Sequence, residues 1–113
     1  MKTSLAVLLL SVSVAPAVAH AADLSSVPAA SRNKVEQCIG CHAIPEYKTA
    51  YPEVYRVPMI GGQSAKYLEA ALQAYKKGDR QHPQMTPTAQ TLSDQDITLV
   101  AAYFAQQTPS AGK

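Results

Sequence analysis

The five residues Cys38-Ile39-Gly40-Cys41-His42 constrain this chain more than any other stretch, because they hold its only two cysteines and a histidine directly after the second. Two thiols about one helical turn apart can each add to one vinyl group of the same porphyrin, and the residue that follows then falls under the metal. C-x-x-C-H is the pattern of covalent c-type haem attachment. An imidazole nitrogen is a strong ligand for haem iron, and with the ligand on the opposite face it sets the redox behaviour. The motif therefore predicts Cys38 and Cys41 as the covalent anchors of one haem and His42 as its proximal iron ligand.

Three other readings of the same residues are weaker. A thioredoxin-like redox pair needs a βαβ pattern and an activated thiolate, and no strand run stands nearby. A structural zinc site needs four ligands, yet the second ligand pair at its usual spacing is absent. A disulfide between Cys38 and Cys41 would close a short, strained loop on a helix.

The chain has 113 residues, and its beginning reads as a targeting segment. One positive charge at Lys2 precedes an apolar run from Leu5 to Val14, with small residues after Pro16, which is the pattern of a secretory signal peptide. Cleavage after Ala21 leaves a polar start at Ala22-Asp23, giving a signal peptide at 1–21 and one domain at 22–113. The apolar run falls short of the roughly 20 residues that cross a bilayer. Export to the bacterial periplasm follows, where haem and cysteines meet outside the reducing cytosol.

Removal of Lys2 takes the formal charge from +2 to +1, nine basic against eight acidic residues. No basic run interleaved with aromatics suggests nucleic acid, and nothing suggests an electrostatic membrane association. A domain of this size has a marginal core by protein alone, and a large flat apolar cofactor would complete it.

Along the mature chain, Ser31 reads as the cap of a first helix with Val35, Cys38, Ile39 and His42 on one face. Gly40 on that helix is either tolerated or the point where another helix comes close. Residues 43–62 hold Pro45, Pro52 and Pro58 with Tyr47, Tyr51 and Tyr55, a density of proline that opposes helix and central strand. A loop this long suits the edge of a haem. The tyrosines recur at four-residue spacing, so a short helical turn limited by Pro52 is one reading, and Arg56 is either solvated or paired with a propionate. Ser64 caps a second helix carrying Tyr67, Leu68, Ala71, Leu72 and Tyr75, which ends before Gly78. Lys76, Lys77 and Arg80 form a small basic cluster, read as capping and solvated charge before any docking patch. Residues 79–91 read as irregular. Ser93 and Asp96 make a capping-box-like pair for a last helix with Ile97, Val100, Ala101 and Phe104 inward, ending before Pro109. Phe104 or Tyr103 should pack against the first helix near Gly40.

The second axial ligand should lie in 79–91, opposite His42 across the ring. Met85, in a segment braced by Pro83 and Pro87, offers a thioether that would raise the reduction potential. Met59 after Pro58 is a rival, and His82 would give bis-histidine ligation.

Taken together, the leader, CIGCH on the first helix, IGGQSAKYLEAALQAYKKGDR, a loop with HPQM and LSDQDITLVAAYF resemble a small monohaem class I bacterial cytochrome c over essentially the whole mature chain. The resemblance implies an all-α, class I cytochrome c fold of three to five short helices around one covalently attached haem c. It implies Cys38 and Cys41 as thioether residues, His42 as proximal and Met85 as distal ligand, and Pro58 as the residue whose carbonyl accepts the proximal ring N–H. Residues 43–57 are longer and richer in tyrosine than in the shorter members. The function implied is a soluble periplasmic electron carrier, not an enzyme, cycling between Fe(II) and Fe(III) with His/Met ligation. Its partners would be redox proteins, a dehydrogenase or respiratory complex as donor and an oxidase or reductase as acceptor, with no nucleic acid and no strong membrane association. A haem sensor or haem enzyme with a displaceable sixth ligand is the alternative, and a thiol–disulfide oxidoreductase a third.

Overall fold

Apolar residues at three- and four-residue steps set up helices whose inward faces must find one another, and the computed structural model describes how they do so over residues 23–51 and 53–108. The leader at 1–21 with its cleavage after Ala21, Pro52, and the tail from Pro109 lie outside the described residues. The element order is α1 (Ala29–His42), β1 (Lys48–Thr49), β2 (Tyr55–Arg56), α2 (Ala65–Lys77), α3 (Met85–Gln90) and α4 (Asp94–Ala105). Four helices and one minimal ladder make this the all-α class.

Helix α1 begins at Ala29, behind Pro28 rather than Ser31. Proline fixes φ near the helical value and lacks an N–H, so it leads a helix without loss. Ser31 is instead buried one turn in, and its hydroxyl donates to Asp96 Oδ1 at 3.2 Å. As a cap its oxygen would have accepted from a backbone N–H; here its hydroxyl donates to a carboxylate on another helix, a charge-assisted bond, so the serine ties α1 to α4.

The α1–α4 packing is the dry core. Val35, Val100, Ala101, Tyr103 and Phe104 are buried together with Val27 and Leu68, and Cys38 and Ile39 pack against them. Tyr103 and Phe104 meet edge to face, centroids 5.2 Å apart. Tyr103 and Phe104 thus share the core with α1, but nothing approaches Gly40 itself: a Cβ placed there would meet nothing within 4 Å, so of its two readings the tolerated glycine holds.

Two of the three predicted serine caps form, at Ser64 and Ser93. Ser64 Oγ accepts from Tyr67 N at 3.5 Å, and α2 ends at Gly78 in the left-handed region, φ 87°. Ser93 and Asp96 close a full capping box, Asp96 N donating to Ser93 Oγ and Ser93 N to Asp96 Oδ2, each at 3.0 Å. Asp94 accepts from Gln73 Nε2 at 3.0 Å and Lys76 Nζ at 2.9 Å, which joins the C-terminal half of α2 to the start of α4.

Residues 43–57 depart from the helical turn that the tyrosine spacing suggested. β1 and β2 pair antiparallel, Lys48 opposite Arg56 and Thr49 opposite Tyr55, and Val57 N donates to Tyr47 O at 2.9 Å beyond the ladder. Thr49, buried, donates to the carbonyls of Glu53 and Tyr55 across the turn. Threonine and tyrosine suit a pleated surface better than a helix, and cross-chain bonds the spacing argument ignored decide the outcome. Arg56 pairs with Glu46 on the surface. The irregular reading of 79–91 also gives way in part, to the six-residue α3.

Candidate cofactor site

Helix α1 delivers Cys38, Cys41 and His42 from its last turn, with the chain leaving at Ala43, whose N–H still bonds Ile39 O at 3.2 Å. The loop then carries Pro58 back across the histidine, and His42 Nδ1 donates to Pro58 O at 2.7 Å. A carbonyl only accepts, so Nδ1 holds the proton and Nε2 keeps its lone pair. That lone pair is what a metal would need.

These residues line a cavity of about 760 Å³ shared by α1, the loop from Val57 to Ile60, α2 and the segment around α3. Its size lies within the roughly 300–1,000 Å³ of small-molecule and cofactor pockets. Cys38, Cys41 and His42 stand in its wall together with Met59, His82 and Met85. All five residues of the predicted inward face of α2, from Tyr67 to Tyr75, also line it.

The three candidate distal residues thus share one cavity but not one environment. Met59 directly follows the carbonyl that holds His42, which places its backbone on the histidine's side. His82 Nδ1 already accepts from Gln84 N at 3.2 Å and Met85 N at 3.3 Å, so its proton sits on Nε2 and neither ring nitrogen offers a free pair. Met85 opens α3, and its sulfur makes no hydrogen bond among the described residues.

Arg80 was grouped in the sequence with Lys76 and Lys77, and the structure separates them. Lys76 is bound to Asp94. After Gly78 the chain folds back over the end of α2, Arg80 N donating to Ala74 O at 3.1 Å, and the guanidinium sits 4.9 Å from the centre of the Tyr75 ring. Arg80 is the one Lys or Arg among the described residues that line the cavity. The left-handed turn at Gly78 was the available signal, since it reverses the chain onto the helix it ends.

The Cys38 thiol does not have the electrostatics of a redox nucleophile. Burial, and after it the neighbouring Cys41, push the Cys38 thiol up to about 11, whereas exchange chemistry uses a thiolate stabilised near or below neutral pH. Cys38 Sγ donates to Lys34 O at 3.2 Å, as a protonated thiol does. Among the described residues no three His, Cys, Asp or Glu side chains gather as a metal cluster, which leaves the zinc reading without ligands.

The family model described as cytochrome c matches residues 30–108. The chain is 42% identical over 82 residues to cytochrome c-554(548) of Halomonas halodenitrificans, covering 70% of this chain and 94% of that protein. It is 36% identical over 95 residues to cytochrome c4 of Pseudomonas aeruginosa, covering 84% of this chain but 44% of the relative. A thiosulfate dehydrogenase electron acceptor of Stutzerimonas stutzeri is 32% identical over 74 residues, 63% of this chain and 32% of that protein. The chain thus spans nearly all of the first relative and less than half of the other two.

Proposed function

Because the chain belongs to the cytochrome c family, and so is a haem-based electron carrier of the small class I bacterial type, we propose that it is a soluble periplasmic carrier holding one haem between His42 and Met85. The residues present fit that group: two cysteines and an imidazole with a free Nε2 stand on one wall of a largely apolar cavity, and a thioether stands in the same cavity. Cys38 and Cys41 would anchor the ring, and His42 and Met85 would hold its iron. When bound, the haem supplies one-electron exchange between Fe(II) and Fe(III), at a potential that a thioether opposite a histidine raises.

The chain's own residues do the rest. Pro58 fixes the orientation and tautomer of His42 through its carbonyl, which raises the basicity of the ligating nitrogen. Leu68, Leu72 and Val100 keep water from the ring, and a low-polarity surrounding favours the less charged, reduced state. Arg80 gives the cavity a positive charge, the partner that a propionate carboxylate calls for. With His42 and Met85 both holding the iron, no substrate position would remain on it, and we assign no catalytic residue.

Residues 1–21 act in this reading as the cleaved signal peptide that takes the chain to the periplasm. No helix of the described residues is long and apolar enough to cross a membrane. The name of the Stutzerimonas relative describes a protein that accepts electrons from a dehydrogenase, and the same class of donor is proposed here, with an oxidase or reductase as acceptor.

The 2.7 Å bond from His42 to Pro58 is the observation that carries this reading, since it readies an imidazole for a metal inside a cavity large enough for a porphyrin. Replacing Met85 with alanine tests it. The haem should stay attached while the low-spin spectrum and the weak red charge-transfer band from sulfur to ferric iron are lost. An unchanged spectrum would move the distal position to another residue.

A further inference from the structure

His82 is free to do something other than bind iron, and its hydrogen bonds say what. Its Nδ1 accepts from the backbone N–H groups two and three residues ahead, Gln84 at 3.2 Å and Met85 at 3.3 Å. In return His82 N donates to Thr86 Oγ1 at 2.9 Å, and Thr86 N donates to His82 O at 3.0 Å. Side-chain acceptance of the leading N–H groups, with a reciprocal side chain reaching back from the first turn, is how a helix start is closed. Serine, threonine, aspartate and asparagine usually fill that role, and here an imidazole does.

The segment needs such help. Pro83 has no N–H to leave unsatisfied, but Pro87 has none to give to the carbonyl of residue 83, so the ladder is broken between the bond from Thr86 to His82 and the bond from Thr88 to Gln84 at 3.2 Å. Backbone bonds alone therefore do not fix the turn that contains Met85. The clasp is braced from outside: the Tyr55 ring meets the His82 ring edge-on at 4.8 Å, and Gln84 Nε2 donates to Tyr51 O at 3.3 Å.

We propose that His82 and Thr86 form a clasp that holds the backbone of Met85 and so keeps its thioether on the metal; both are positioning residues. The proposal rests on Met85 being the distal ligand. Its consequence is a resistance to ligand exchange, in which the bond from the Met85 sulfur to iron breaks and one from an added imidazole nitrogen forms, with no change in electron count.

The test uses the full haem-loaded ferric protein titrated with imidazole and followed by the red charge-transfer band. His82→Ala and Thr86→Val should each bind imidazole about fivefold more tightly than the parent, the factor that loss of a cap of about 1 kcal/mol produces. His82→Asn, whose amide oxygen can accept from the same N–H groups, and Thr86→Ser should stay within about twofold of the parent. Imidazole affinity unchanged in His82→Ala, with the band intact, would overturn the clasp. Loss of the low-spin spectrum in both His82→Ala and His82→Asn would make His82 itself the ligand and overturn the clasp and the Met85 assignment together. Retention of the band in Met85→Ala would overturn the Met85 assignment separately.

Discussion

The two sides of helix α1 are built on different physics. On one side Val35 meets Val100, Ala101 and Phe104, with Val35 at 0% and Phe104 at 2% exposure. On the other, Cys38, Cys41 and His42 face a cavity of about 760 Å³ and stay only partly buried. The first side is complete in protein atoms; the second is a wall that wants a partner. Dispersion and hydrophobic burial stabilise the former at packing density, while the apolar lining of the latter would be buried against the haem. The difference teaches that stability and function here are separable by face, although one helix carries both.

Removing the two cysteines proposed to anchor the cofactor should have the largest effect. With Cys38 and Cys41 both changed to alanine, the apoprotein should lose cooperative unfolding, because a domain this small is marginal on apolar burial by protein alone. Denaturant titration followed by circular dichroism reads this directly, and a sharp transition in a colourless product would show that the α1–α4 face suffices. Next comes a break on the dry side. Phe104→Ala in the haem-loaded protein should cost about 3–5 kcal/mol in the same titration, with the haem spectrum of the folded fraction unchanged; a loss under about 1 kcal/mol would mean that the two faces share their stability more evenly than the burial suggests.

The smallest effect concerns the ties at the α1–α4 crossing. The Ser93 backbone N–H, then the Ser93 hydroxyl and, more weakly, that of Ser31 hold the Asp96 carboxyl below its ordinary value. The folded state therefore takes up this proton less readily than the unfolded chain, so the stabilisation is present above about pH 4 and is lost as pH falls through the folded-state value. Between about pH 6 and about pH 3 the parent should lose more stability than Asp96→Asn, by less than about 1 kcal/mol. Equal losses would leave the box and the Ser31 tie without energetic weight.

What was legible in the sequence was local. Ser64 and Ser93 announced their helices because a cap acts on N–H groups within three residues, and Gly78 announced an end because its left-handed backbone excludes most side chains. Ser31 misled for the same reason: as a cap it looked sufficient, but a carboxylate 65 positions away holds its hydroxyl. The tyrosines of 43–57 misled because four-residue spacing describes one strand of chain, while the hairpin depends on Thr49 finding Tyr55 across a turn. Likewise Arg56 found Glu46, and the basic cluster came apart when Lys76 met Asp94 and Arg80 met Tyr75.

The site divides along the same line. Two cysteines and a histidine within five residues state their chemistry without help, since a helical turn fixes their spacing wherever the helix lies. By itself the sequence therefore determined the C-x-x-C-H motif, with the chemistry proposed for it, and the capped helices that frame it. The Pro58 carbonyl that the family resemblance implied does meet His42; only the tertiary structure decided that His82 is engaged by backbone N–H groups, and that Met59, His82 and Met85 border one cavity. Those outcomes depend on closing loops of 16 residues or more, or on how a proline-broken turn satisfies its own donors. Neither is written in the order of residues, because each is settled by which competing partner the packed chain brings within hydrogen-bonding distance.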